Sequence, residues 1–205
     1  DFMRWCYHPE PFVVNMGKLQ QDGAVLTPTV HKVNTGFMNK AATPQGRAAE
    51  ICNSTPRNAI VLSQTVKALL TGRTVLVLVD RVKHAEKLAK MITHSGHGAK
   101  TMLGKLSKKK RQVLLDGMRL GDNRCVIATT VADEGLDVPN LDTVILACPS
   151  GNVGKVQQRI GRALRVKDGK SKPIVIDLVD QFGPYQGYWR RRAKMYRESG
   201  WDISE

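Results

Sequence analysis

The sequence predicts an α/β domain built on an open parallel sheet flanked by helices, and three observations carry that prediction. From Thr74 onward, short apolar runs alternate with amphipathic segments. The runs (Val75 to Val79, Cys125 to Ala128, Thr143 to Ala147 and Ile174 to Val179) are β-branched and apolar at consecutive positions. That is the pattern of parallel strands covered on both faces. Finally, 205 residues, 41% of them hydrophobic, suit one compact domain with extensions and supply a packed core. Strands alternating with helices in this way favour right-handed crossovers within one sheet.

In chain order, residues 1 to about 22 are mixed in character, and Pro9 and Pro11 break regularity. Val25 to Phe37 alternates in part and reads as extended, with Pro28 favouring an edge position. Residues 39 to 54 are polar and punctuated by Gly and Pro. Asn58 to Leu70 reads as a helix carrying Ile60, Val61, Val66 and Leu69, closed by Gly72. Val82 to Thr93 places Ala85, Leu88, Ala89 and Ile92 at helical spacing. Ser107 to Leu120 opens on a capping-type Ser and aligns Val113, Leu114 and Met118. Val153 to Leu164 carries Val156, Ile160 and Leu164 at the same period. No internal repeat or low-complexity tract interrupts this order.

Lys and Arg number 32 against 18 Asp and Glu, a formal net charge of +14. Such an excess favours a polyanionic partner, because each basic group near a phosphate releases a condensed counterion. A basic, well-solvated surface fits the same composition. No run is long enough to cross a bilayer and no charged-then-apolar leader opens the chain, so no membrane role is expected. Cys6, Cys52, Cys125 and Cys148 form no C-x-x-C pair, the usage of reduced thiols in a cytoplasmic protein. His94 and His97 form an H-x-x-H in a Gly-rich turn without a Cys or carboxylate nearby, so no metal site is assigned.

Three segments can carry chemistry. In Gln157-Gln158-Arg159-Ile160-Gly161-Arg162-Ala163-Leu164-Arg165, three arginines recur at spacings of three. Arg162 and Arg165 stand one turn apart on a helix, and two guanidinium forks aimed at one point suit a phosphate gaining charge during transfer. A basic surface helix making salt bridges fits that spacing equally. Ala128-Thr129-Thr130 through Asp133-Glu134-Gly135-Leu136-Asp137-Val138-Pro139 follows an apolar run directly. Ligands of open parallel sheets sit beyond the carboxyl ends of strands. Hydroxyls there can meet a phosphate, and Asp137 can accept from a sugar hydroxyl; an ordinary capped strand-to-helix turn also fits. Leu103-Gly104-Lys105-Leu106-Ser107-Lys108-Lys109-Lys110-Arg111 places cations at a helix start, where the macrodipole disfavours them. A bound phosphate reverses that penalty; a solvated lysine run is the plainer account.

The segment Gln158 to Arg165 is similar to motif VI of superfamily-2 helicases, Q-R-x-G-R-x-x-R. The strand and A-T-T-x-A-D-E-G-L-D-V-P resemble their motif V, and Val75 to Glu86 resembles motif IV. The likeness spans about residues 23 to 205, with residues 1–22 expected to be the trailing part of a first domain and a linker. Within the superfamily the subtype is similar to phage, viral and bacterial DNA helicases with an E-G-L-D-x-P motif V. The resemblance implies a RecA-like fold of P-loop NTPase type, as in a helicase C-terminal domain. It implies that Arg162 and Arg165 are arginine fingers, groups that raise phosphoryl-transfer rates by about 10³ or more. Gln158 would lie by the same phosphate, and Gly135 and Asp137 would face the ribose. Arg81, Gly104, Lys105 and Thr129 would contact the nucleic-acid backbone, with DNA favoured over RNA. Leu164 departs from the common G-R-x-G-R form.

No G-x-x-x-x-G-K-[ST] occurs, and no D-E-x-[DH] follows an apolar run; Asp133-Glu134-Gly135 belongs to the motif V segment. The residues that hold ATP phosphates and Mg²⁺ are therefore expected on an N-terminal RecA-like domain, in cis or as a separate chain. The chain alone is then half an ATPase, and a non-catalytic nucleic-acid-binding module is the other reading. A Rossmann enzyme is disfavoured because no G-x-G-x-x-G follows a strand. In the tail from Gly183 to Trp201, Tyr185, Trp189 and Tyr196 share a helical face, so docked aromatics with snorkelling arginines are expected rather than base stacking.

Overall fold

The structure, a computed structural model, describes residues 27–129, 138–163 and 172–204, with the backbone alone at 162 and 163. Seven strands and six helices alternate within them. They are β1 (Thr29–Asn34), α1 (Pro44–Asn53), α2 (Thr55–Leu70), β2 (Val75–Leu78), α3 (Val82–His94), β3 (Lys100–Met102), α4 (Lys108–Leu120), β4 (Cys125–Ala128), β5 (Thr143–Leu146), α5 (Val153–Ala163), β6 (Ile174–Val179), α6 (Gly183–Glu198) and β7 (Asp202–Ser204). The strands form one sheet in the order β3-β4-β2-β5-β6-β1-β7, and every pairing is parallel. The predicted expectations for residues 1–22, Thr130 to Asp137 and Arg165 lie outside the described residues.

Both faces of the sheet are covered. On one, Leu76, Leu78, Val126, Val144 and Val175 pack with Leu115 and Met118 of α4, Val156 and Ile160 of α5, and Trp189 and Tyr196 of α6. On the other, Val75, Val77, Ile127, Ile145 and Leu178 meet Val61 and Leu69 of α2 and Leu88 and Ile92 of α3. Alternation along each strand sends successive residues to opposite cores, so the runs must be apolar throughout. All four residues of β2, β4 and β5 are buried.

The helices begin where local chemistry caps them. Ser107 Oγ accepts from the Lys110 N–H at 3.3 Å and opens α4. Ser54 Oγ accepts from Arg57 N–H at 3.4 Å and opens α2, which ends before Gly72 at φ +81°. One expectation needs correction, and three elements were not expected. Pro28 does not mark an edge: β1 lies between β6 and β7. Pro28 precedes the ladder, so its missing N–H costs nothing. The polar stretch 39 to 54 contains α1, opened by Thr43, whose side chain accepts from Gly46, with Pro44 in the first turn. The edge strands β3 and β7 are too short, at three residues each, to show a period.

Candidate nucleotide-facing edge and nucleic-acid interface

The carboxyl ends of the parallel strands form one edge, and the predicted site residues that are described fall there in two groups. At the β3–β4 side, Gly104 and Lys105 are exposed in the turn after β3. Thr129 directly follows β4 and is buried. The Thr129 N–H donates to the Met102 carbonyl at 3.3 Å, and Leu106 N–H donates to Leu103 at 3.0 Å. These bonds bring Thr129 beside the turn that carries Gly104 and Lys105. Lys108, Lys109 and Lys110 fill the exposed first turn of α4, which contains no acidic residue.

The second group lies in the middle of the edge. β2 leads through Val79 to Asp80 and Arg81, and the neighbouring β5 leads through Ser150 to Asn152 into α5. Asn152 Oδ1 accepts from Lys155 N–H at 3.0 Å and starts that helix. Val156 and Ile160 fix the buried face of α5, and Gln157 Nε2 donates to Ser199 Oγ at 3.2 Å. Gln158 is consequently exposed, and Arg162, four residues on, has its Cα on the same helix face. Gly135, Asp137, Arg165 and the Arg162 side chain lie outside the described residues. Asp80 feels α5 directly. Loss of solvent around its carboxyl raises its pKa above the ordinary range, against the pull of Arg159, Lys155, Arg57 and Arg81. Arg81 is exposed and its Nη2 donates to the Gln45 carbonyl at 3.3 Å.

Beneath this edge lies a buried polar frame that the sequence reading missed. Arg57, 1% exposed, sends Nε to Asp180 Oδ1 at 2.8 Å and Nη1 to the Ala147 carbonyl at 2.7 Å. Thr35 Oγ1 donates to the same Asp180 oxygen at 2.5 Å. Arg57 thus ties the ends of β5 and β6, and Thr35 joins the end of β1 to them through Asp180. Arg192 does the same for the loop before α5. Its Nε and Nη2 reach Asp177 Oδ2 and Oδ1, both at 2.8 Å, and its Nη1 donates to Ser150 O at 2.5 Å. Tyr196 OH also donates to Asp177, at 2.9 Å. Arg192 therefore does not snorkel, although Arg190, Arg191 and Arg197 are exposed. The available signal was Asp177: an acid inside the run Ile174 to Val179 announces a buried partner. Arg192 falls on the face of Trp189 and Tyr196 at i+3 and i+7.

His94 Nδ1 donates to the Lys90 carbonyl at 2.7 Å, a contact within the helix end. Among the described residues, no group of three His, Cys, Asp or Glu is placed to hold a metal, and no helix is long and apolar enough to cross a membrane.

An open parallel sheet with helices on both faces, carrying its exposed basic side chains along the carboxyl edge, is the architecture of RecA-like domains. The chain belongs to the family described as helicase conserved C-terminal domain, whose pattern matches residues 57–167. It is 35% identical over 104 residues to putative helicase 22 of Sulfolobus islandicus filamentous virus (isolate Iceland/Hveragerdi), covering 51% of this chain and 19% of that protein. It is 24% identical over 181 residues to probable helicase D10 of Escherichia phage T5, covering 86% of this chain and 40% of that protein. The chain thus spans less than half the length of either relative. In fold it is similar to S. cerevisiae Dbp5 bound to RNA and ADP BeF3, with a TM-score of 0.64 at 18% identity, covering 87% of this chain and 41% of that one.

Proposed function

We propose that this chain is the second motor domain of an ATP-dependent superfamily-2 helicase or translocase. Residues 1–22 complete the end of a first domain and linker, and residues 23–205 form the domain described above. ATP and Mg²⁺ are held mainly by an N-terminal RecA-like partner, in cis or as a second chain. This chain presents Arg162 and Arg165 to the transferring phosphoryl group, Gln158 beside it, and Gly135 and Asp137 to the ribose. Arg81, Gly104, Lys105 and Thr129 meet the backbone of the nucleic acid, DNA ahead of RNA.

One observation carries this reading: the two groups are separate along one edge. α5, with Gln158 exposed, lies over the middle of the sheet beside Asp80. Gly104, Lys105 and Thr129 gather at β3 and β4. The turn after β3 and the start of α5 thus stand apart along the edge, with Arg81 after β2 beside Asp80, an arrangement that supports a coupling of hydrolysis to movement.

The test uses the complete two-domain enzyme. Arg165→Ala lowers kcat by about 10³ with little change in nucleic-acid affinity, because an arginine finger acts mostly in the transition state. Arg165→Lys is nearly as impaired, since Lys keeps charge but loses the planar fork. Lys105→Ala weakens strand binding by about 1 kcal/mol and spares turnover at saturating strand. Wild-type hydrolysis by both Arg165 variants would replace this reading with that of a nucleic-acid-binding module.

A further inference from the structure

The opposite, amino end of the sheet holds a hollow that the proposed motor role does not use. A cavity of about 490 Å³ opens where β1, β6 and the start of β5 face the second half of α2. Its position follows from how the helices are laid. On this face α2 packs on β2 and β5, and α3 on β3 and β4. The β6–β1 surface beside them is left as a hollow, although its residues alternate as in a covered sheet. Val30 and Lys32 turn to the other face, where Lys32 Nζ lies 5.7 Å over the Trp189 ring. His31 and Val33 turn into the hollow by alternation.

The floor is apolar, with Val33, Ile174 and Ile176 from the strands and Ala68 from α2. The rim is polar and cationic: Gln64 and Lys67 come from α2, and Arg73 follows it. No Asp or Glu stands among the lining residues. Arg73 is held in place, with Nη1 donating to the Lys172 carbonyl at 3.2 Å and lying 3.7 Å from Asp142. Lys67 is exposed at the mouth. His31 Nδ1 is 2.7 Å from Ser204 Oγ. Lys67 and Arg73 with no acid in the lining make the rim positive over an apolar floor; burial, then those two charges, depresses the pKa of the His31 ring.

We propose that this hollow is a binding site for a small amphiphilic carboxylate, its apolar body on Val33, Ile174 and Ile176 and its carboxylate toward Lys67 and Gln64. The volume falls in the range of small-ligand pockets, which are mostly apolar with a few placed polar groups. Lys32 also borders the hollow, but its Nζ lies over Trp189 on the other face, so Lys67 supplies the one exposed ammonium at the mouth, which suits a monoanion. A phosphate dianion draws on convergent guanidinium forks or a row of N–H groups, and Arg73 is already engaged with Asp142.

The 205-residue chain is titrated with 4-phenylbutyrate, 4-phenylbutanol and 4-phenylbutylamine while its methyl resonances are followed by NMR. Saturable shifts concentrated on Val33, Ile174 and Ile176 are expected, with the acid binding about fivefold more tightly than the alcohol, the scale an exposed ion pair supports. The amine binds most weakly. Lys67→Glu reverses the order of acid and amine, and Ala68→Phe fills the hollow and removes the shifts. Equal binding of acid and alcohol, shifts spread away from these methyls, or unchanged acid affinity in Lys67→Glu overturns the proposal. Lys67 is exposed, so that variant folds and decides the matter even if Ala68→Phe does not. None of these measurements involves ATP or nucleic acid, so their outcome is independent of the motor assignment.

Discussion

His84 shows how one buried side chain reports on the frame beneath the site. Asn58 Nδ2 donates to the Cys52 carbonyl at 2.8 Å, so its Oδ1 faces His84 Nε2 at 2.9 Å and accepts from it. The proton is therefore on Nε2, and Nδ1 accepts from the Cys148 thiol at 3.6 Å, a group that burial pushes up to about 12 and keeps protonated. Burial, then Arg57 and Lys87, lowers the His84 pKa to about 4. Its unfolded value is about 6.5. The unfolded state therefore binds the extra proton first as pH falls, and His84 withdraws stability between pH 6.5 and 4. The loss reaches roughly 3 kcal/mol, at about 1.4 kcal/mol per unit. Urea midpoints at pH 7.0, 5.5 and 4.5 should fall more steeply in the wild type than in His84→Gln, since nearby carboxylates titrate alike in both. Parallel slopes would contradict this role. Arg192 offers a second test. Arg192→Ala leaves Asp177 buried and uncompensated, so it should cost about 3–5 kcal/mol by urea titration. Arg190→Ala, on the exposed face, should cost under about 0.5 kcal/mol. At this scale the exposure of Gln158 and Lys105 follows from their place between apolar positions in the chain. The Arg57–Asp180 and Arg192–Asp177 pairs, 123 and 15 residues apart, were not, because the pairing depends on which strands become neighbours.

Elements were legible where periodicity and caps agree. The four runs that became β2, β4, β5 and β6 pack into cores on both faces, and α2 to α5 announce themselves by apolar residues at helical spacing, with Ser107 opening α4 and Gly72 closing α2; the Ser54 cap that opens α2 was not read. α1 escaped because only Ile51 and Cys52 of its ten residues are buried; its signal was the Thr43–Pro44 cap rather than a stripe. β3 and β7 escaped because their strand character comes from ladder bonds to β4 and β1. α4 is the element whose design is most open to test, since its cap adjoins Lys105. Ser107→Ala removes an acceptor for the Lys110 N–H and should cost about 1 kcal/mol. Ser107→Asp keeps the acceptor and adds a charge that the helix start favours, so stability should stay within about 0.5 kcal/mol of wild type. The same charge beside Lys105 and Lys108 opposes a phosphate. Strand binding should therefore weaken in Ser107→Asp while the urea midpoint holds. A fall in both together would mean that the cap and the binding surface are one function.

Across the whole molecule, the net charge is +14, and the place of each charge on the sheet decides what it can do. The carboxyl edge carries exposed Arg81, Lys105 and the α4 lysines, whereas the buried arginines Arg57 and Arg192 are matched by Asp180 and Asp177. Parallel strands make this possible, because all of them end on one edge and the turns after β2, β3 and β4 must meet there. The chain lacks a phosphate loop, so by itself it should bind single strands without turning over ATP at the ~1 s⁻¹ or faster usual for enzymes. Its affinity should fall with salt and vary by less than about tenfold among strands of different base composition, since contacts to phosphate carry no sequence information. The decisive comparison is between two lysines of equal charge and different place. Lys105→Ala should flatten the plot of log affinity against log salt by about 0.7–1 unit, the loss of one phosphate contact. Lys194→Ala, on exposed α6 and 3.7 Å from Glu198, lowers net charge by the same amount and should leave the slope unchanged. If the two variants flatten the plot equally, general positive charge binds the strand. If only Lys105→Ala does so, the strand follows the edge that the parallel topology assembles.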